Sequence, residues 1–162
     1  MMTPALLLVL SGVEVLTGDF RAVTVETGQR VQFRVPRLET ITGSSGRCVE
    51  EGMSSDEPDT LWLEGSCSGV RTALAWKKDG SRVHIMACAE DVEERTAEQL
   101  KLRQRVQQEL KRWKSVTACV RKGQVQLWGW VKAQSDLEAM TALERKHGGA
   151  VRSFVERIEK DD

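Results

Sequence analysis

The chain has 162 residues, with 24 Lys plus Arg balanced by 24 Asp plus Glu, five tryptophans and no tyrosine. That length suits one ordinary domain or two small ones. Charge neutrality argues against nucleic acid as the main partner, since phosphate binding needs a concentrated basic surface, and no apolar run approaches the roughly 20 residues of a membrane-spanning helix.

The first 19 residues include an apolar run, Ala5 to Leu10, followed by small residues. They read as a degenerate secretory signal peptide or a disordered lead, with a short N-terminal strand as the alternative. No Lys or Arg precedes the run, the run is short, and no A-x-A site follows it. Export is the expectation, to the periplasm or the outer membrane.

Four cysteines, Cys48, Cys67, Cys88 and Cys119, lie far apart with no C-x-x-C pair. That spacing does not suit structural zinc, whose ligands usually come in close pairs. Two disulfides suit an oxidising compartment, and four buried free thiols are the alternative. The sequence does not choose among the three pairings. Cys48–Cys67 is the bridge expected first, closing a loop of about 20 residues and contributing about 3 kcal/mol.

Residues 20–90 read as a small, mainly β domain. In AVTVETGQRVQFRV, Val23 and Val25, then Val31, Phe33 and Val35, alternate on either side of Thr27-Gly28-Gln29, which predicts a hairpin. GSSGRCVEEGMSSDEPD is polar and reads as loop, with one short strand near Cys48. In TLWLEG, Leu61 and Leu63 share one face and Trp62 the other. VRTALAW and RVHIMACA flank Asp79-Gly80, a strong hairpin signal.

The pattern changes at Glu90, and residues 91–162 predict α-β-β-α-β. Asp91 reads as the N-cap of a helix whose first turn carries Glu93 and Glu94. Val92, Thr96, Leu102, Val106, Leu110 and Trp113 share a face, and Lys111, Arg112 and Lys114 suit its C-terminal end. SVTACV and QVQLWGWV are antiparallel strands about the Arg121-Lys122-Gly123 turn. A second helix follows, capped by Ser135 or Asp136, with Leu137, Met140 and Leu143 inward, ending at Gly148-Gly149. AVRSFVERI is the last strand, with Val151 and Phe154/Val155 available for burial.

Neither histidine, His84 or His147, has a motif partner for nucleophilic catalysis. The Gly43–Gly46 stretch lacks the lysine and context of a phosphate loop. Glu50, Glu51, Asp56, Glu57 and Asp59 lack calcium-site spacing. The expectation is therefore no catalytic residue, no metal, no cofactor and no enzyme.

In the strand QVQLWGWV, Val125, Leu127 and Val131 would face the helices, leaving Gln124, Gln126, Trp128 and Trp130 on the other side. A two-layer α/β domain leaves that side uncovered. Trp128 and Trp130, with Gln126, are thus candidate partner-interface residues; packing on the first domain is the intramolecular alternative.

The stretch Gly123, Val125, Leu127, Gly129, Val131, followed by GGAVRSFVERI, resembles BON domains, which have the α-β-β-α-β order. It departs from them in placing Ala150 between Gly149 and Val151, and Glu156 where asparagine is usual. The first half is similar to the N-terminal region of Flp/Tad pilus secretins. VTVETGQRVQFRVPR precedes a segment in which Gly65, Gly69, Trp76 and Asp79-Gly80 match, and a BON-like domain follows directly. The resemblance spans Val23 to Ile158. It implies an α+β chain of a mainly-β N-terminal domain and a BON-like two-layer domain, ending at Asp162 without the secretin barrel.

By that resemblance the chain is a non-enzymatic periplasmic component of a Tad-like pilus or type II-like secretion apparatus. Its partners would be secretin or other pilus subunits, with a homo-oligomeric ring as one form. The alternative is a BON-type envelope protein binding anionic phospholipid headgroups through Lys111, Arg112, Lys114, Arg121 and Lys122.

Overall fold

A computed structural model describes residues 13–43 and 47–158. The expected signal segment lies mostly outside the described residues. The chain folds as a mixed α+β structure dominated by strands, in the order β1 (Glu14–Val15), β2 (Phe20–Glu26), β3 (Arg30–Arg34), β4 (Leu38–Gly43), β5 (Val49–Met53), β6 (Thr60–Gly65), β7 (Gly69–Lys77), β8 (Arg82–Glu90), α1 (Ala97–Glu109), β9 (Val116–Arg121), β10 (Gln124–Val131), α2 (Gln134–His147), β11 (Val151–Ser153) and β12 (Glu156–Arg157).

Three sheets form. An outer sheet runs β1-β3-β6-β5 and a middle sheet β2-β8-β7-β4. A third sheet places β9 on one side of β10 and the successive segments β11 and β12 on the other. The outer and middle sheets share one core, built on Val25, Phe33, Leu61, Leu63, Val83 and Ile85. Each such side chain contributes about 1.5–3 kcal/mol when taken out of water. The third sheet builds a second core, with Val125, Leu127 and Val131 against Val106 of α1, its C-cap residue Leu110, and Met140 of α2.

The hairpin expected across Thr27-Gly28-Gln29 does not form. The chain does turn there, with Gly28 at φ 85° and the Gln29 amide donating to Glu26 O at 2.9 Å. But β2 pairs in parallel with β8, and β3 pairs with β6, so the turn is an arch between two sheets. Alternation signals a half-buried strand without naming its neighbour, and here both strands find partners distant in sequence. The hairpin at Asp79-Gly80 forms as expected, joining β7 and β8 with Gly80 at φ 88°.

Part of the expected lead, from Glu14 to Leu16, is built into the first half. Glu14–Val15 pair with Phe33 and Arg34 of β3, and Leu16 is buried in the core. Arg21 holds this strand by two bonds to Glu14, at 2.6 and 2.8 Å. The hydrogen bond from Arg21 draws the Glu14 carboxyl below its ordinary pKa.

The first helix starts later than Asp91. Its N-cap is Thr96, whose hydroxyl accepts from the Gln99 amide while the Gln99 side chain accepts from the Thr96 amide. This reciprocal capping box satisfies two amides at once. Asp91 instead closes a turn, its carboxylate accepting from the Glu93 amide at 3.0 Å, and Val92 is exposed. Helix α2 begins at Gln134 with Ala133 as N-cap and no side-chain cap, rather than at Ser135 or Asp136.

Cys48 is bonded to Cys67, 19 residues on, and Cys88 to Cys119, 31 residues on. The second bridge ties β8 of the middle sheet to β9 of the third. Replacing Cys88 and Cys119 together by alanine should lower stability by about 3–4 kcal/mol, as loop closure for this span predicts. Urea unfolding checks this, and an unchanged midpoint would refute it. No described helix is long and apolar enough to cross a membrane.

Candidate functional site between the two halves

Strand β8 has two buried faces. Val83, Ile85, Ala87 and Ala89 point into the core between the outer and middle sheets. His84, Met86, Cys88 and Glu90, on the alternate positions, point the other way. Their face of the middle sheet is met by the side of the third sheet that carries Thr117, Cys119, Gln126 and Trp130. The joint is covalent at Cys88–Cys119.

The outer edge of β9 meets side chains in place of another strand. Glu90 Oε1 accepts from the Val120 amide at 2.6 Å, and Gln107 Oε1 from the Ala118 amide at 2.9 Å. Thr24 Oγ1 donates to Ala118 O at 2.6 Å and meets Thr117 Oγ1 at 2.8 Å. The Ala22 amide reaches Lys114 O at 2.9 Å. A sheet edge closed this way is unavailable for pairing with another chain.

Glu90 is the centre of this joint. It is fully buried. Its second oxygen, Oε2, accepts from Arg103 of α1 at 3.0 Å and from Arg95 in the connecting segment. Arg95 also pairs with Glu26 of β2. One carboxylate thus ties four segments, and each of its oxygens has a charged or backbone donor. At the far end of the second half, Glu109 meets Lys146 and His147. The Lys146 hydrogen bond holds the Glu109 carboxyl below its usual range.

The open face expected around the tryptophans is largely internal. Gln126 is buried and accepts from Trp128 Nε1 at 2.9 Å. Trp130 lies edge-on to Phe20 of β2 at 5.3 Å, and Phe20 stacks on His84 at 4.6 Å. Gln126 and Trp130 therefore pack within the chain, because the first half covers this side of the sheet. Trp128 stacks on Phe154 at 4.6 Å and stays half-buried.

His84 sits in this aromatic cluster. Burial, then the nearby Arg82 charge, press its imidazole below the ordinary 6.5, against a smaller opposing effect of Asp19. The unfolded chain then takes a proton near 6.5 while the folded chain takes it only at lower pH. Stability from this site is complete above the unfolded value and falls as pH drops from there to the folded value. Melting temperatures at pH 7.5 and 5.0 should differ less in His84→Gln than in the wild type. An equal pH response in both would refute the assignment.

The basic residues considered for lipid binding do not form one patch. Arg112 pairs with Asp136 at 3.1 Å, and Arg121 donates to Ser68 of the first half at 3.2 Å. Lys111, Arg112 and Lys114 precede β9, whereas Arg121 ends it and Lys122 follows, so a strand length of about 20 Å separates the two groups. No group of three His, Cys, Asp or Glu side chains suited to a metal occurs among the described residues. No family model, no curated protein and no solved structure matches this chain.

Proposed function

We propose that the chain is a non-enzymatic component of a Tad-like pilus or type II-like secretion apparatus in the periplasm, assembling with rings of secretin N-domains. The observation that carries this reading is the placement of the Gly123–Val131 stretch. After the turn at Gly123 it forms β10, within an α-β-β-α-β half whose two helices cover the Val125, Leu127 and Val131 side. A strand-rich half precedes it directly, as the resemblance to pilus secretins implies. Two disulfides are consistent with an oxidising compartment. Separation of the basic residues into two groups weighs against the phospholipid alternative.

The test is capture from envelope extract on the immobilised full chain with its disulfides intact. Secretin identified by mass spectrometry in the bound fraction is the expected result. A bound fraction without secretin, alongside flotation of the chain with phosphatidylglycerol vesicles, would replace this reading by the lipid one.

A further inference from the structure

The two disulfides stand in different surroundings. Cys88 and Cys119 are both fully buried, in the joint between the halves. Cys67 is exposed, and its partner Cys48 is half-buried. Thiol–disulfide exchange needs a thiolate to reach one sulfur of the bridge, so access decides which bridge reacts.

The same surroundings decide which sulfur is attacked. Cys48 packs against the core between the outer and middle sheets, and the start of β7 backs it closely. A Cβ on Gly69 would lie 2.7 Å from Cys48 Cβ and 3.0 Å from its Sγ. Ser68 O stands 3.2 Å from the same sulfur. Cys67 instead sits in the link Ser66-Cys67-Ser68 between β6 and β7, open to solvent.

Contacts other than the bridge hold the two cysteines together. The Ser66 amide donates to Cys48 O at 2.8 Å, and the Ser66 hydroxyl to Arg47 O at 3.1 Å. Strand β5 begins directly after Cys48 and is paired with β6 from Val49 to Met53. Val49 is buried. Arg71 fixes this strand by donating to Val49 O at 2.7 Å and pairing with Glu51 at 2.9 Å. Opening the S–S bond therefore leaves Cys48 and Cys67 as neighbours that can close again.

We propose that Cys48–Cys67 is a reversible thiol–disulfide exchange site, attacked at Cys67 by a thiolate of a protein dithiol of the C-x-x-C kind, while Cys88–Cys119 stays a structural bond. The incoming sulfur bonds to Cys67 Sγ as the bond from Cys67 to Cys48 breaks. Cys48 leaves as a thiolate, takes a proton from water and, as a thiol, donates to Ser68 O. The dithiol's second thiolate then attacks its own partner sulfur in the mixed disulfide, and the Cys67 thiolate departs and is protonated. Two electrons pass from the dithiol, which becomes a disulfide, to the Cys48–Cys67 pair. The mixed disulfide holds the attacking protein beside Ser68, whose hydroxyl accepts from Arg121 of the second half at 3.2 Å. The site is independent of the proposed apparatus, since it needs a dithiol and not secretin.

The experiment treats the full oxidised chain, without denaturant, with dithiothreitol and separately with reduced thioredoxin. Timed quenching with N-ethylmaleimide and peptide mapping by mass spectrometry read the state of each cysteine. Cys48 and Cys67 should open about a hundredfold faster than Cys88 and Cys119, whose exchange waits on opening of the joint. The singly reduced chain should keep its tryptophan fluorescence, and oxidised glutathione should restore the Cys48–Cys67 bond. A thioredoxin with serine in place of its second active-site cysteine cannot complete the exchange. It should be recovered bonded to Cys67, with N-ethylmaleimide on Cys48. The proposal is overturned if both bridges open at one rate, if Cys48–Cys67 resists reduction until the chain unfolds, if the thioredoxin variant forms no adduct, or if the adduct is on Cys48.

Discussion

Glu90→Gln should cost about 3–5 kcal/mol of unfolding free energy, the range for breaking a buried ion pair by removing one partner. The side chain keeps its shape but not its charge. Two arginines, Arg95 and Arg103, are then left half-neutralised at side-chain exposures of 13% and 16%. The amide also misfits geometrically. In the native chain one carboxylate oxygen faces the Val120 amide and the other faces the guanidinium groups. All of these are donors. A glutamine must turn its own NH₂ toward one of the two sides, opposing a donor with a donor. Glu26→Gln is the comparison. Glu26 shares Arg95 but is 38% exposed, so its loss should cost under about 1 kcal/mol. Urea unfolding measures both. Amide exchange at Val120 adds a local reading, and should accelerate in Glu90→Gln beyond the global change if the bond to this carboxylate protects it. Equal midpoints for the two variants would show that the buried carboxylate is not what holds the halves together.

The elements of the second half were largely legible because periodicity and turn chemistry are local. Val106 and Leu110 at helical spacing, the Lys122-Gly123 turn, and Val125, Leu127 and Val131 at strand spacing all fall where those patterns place them. Helix starts were less legible. Asp91 and Thr96 both carry capping side chains, and only the reciprocal Thr96–Gln99 pair distinguishes the true start. The parallel pairing of β2 with β8 joins segments about sixty residues apart, and alternation cannot report such pairing. The joint between the halves did leave a signal. HIMACA in β8 and VTACV in β9 are apolar or small at nearly every position, the mark of a strand buried on both faces. Given that signal, the Trp130 side of β10 is expected to be covered. Glu90 was hidden because a glutamate beside Asp91, Glu93 and Glu94 looks like one more solvated acid; burial arises only when Arg95, Arg103 and Val120 converge on it.

Gly129→Ala should destabilise the chain by about 3 kcal/mol or more, whereas Gly123→Ala should cost only about 1–2 kcal/mol. Both glycines belong to the same strand pattern, yet they are needed for different reasons. Gly123 turns the β9–β10 hairpin at φ 76°, and a Cβ there would meet nothing within 4 Å. Its replacement carries only the left-handed backbone penalty. Gly129 has φ 139°, and a Cβ there would lie 1.9 Å from the Ser115 carbonyl oxygen and 2.9 Å from Val116 Cα. Both obstacles are backbone, so no rotamer change relieves them. Ser115 must move, and it accepts from the Trp130 amide at 2.9 Å while its hydroxyl donates to Trp130 O. The strain at φ and the loss of these bonds add. Displacing Ser115 also moves Trp130 against Phe20 and His84, so the damage reaches the contact between the halves. Urea unfolding of the two variants separates the causes. If Gly123→Ala and Gly129→Ala lose equal stability, conformational freedom alone explains both positions and the close approach of Ser115 carries no weight. If Gly129→Ala loses more and its Trp130 fluorescence shifts while that of Gly123→Ala does not, the second glycine is the point where β9 locks the tryptophan side of β10 onto the first half.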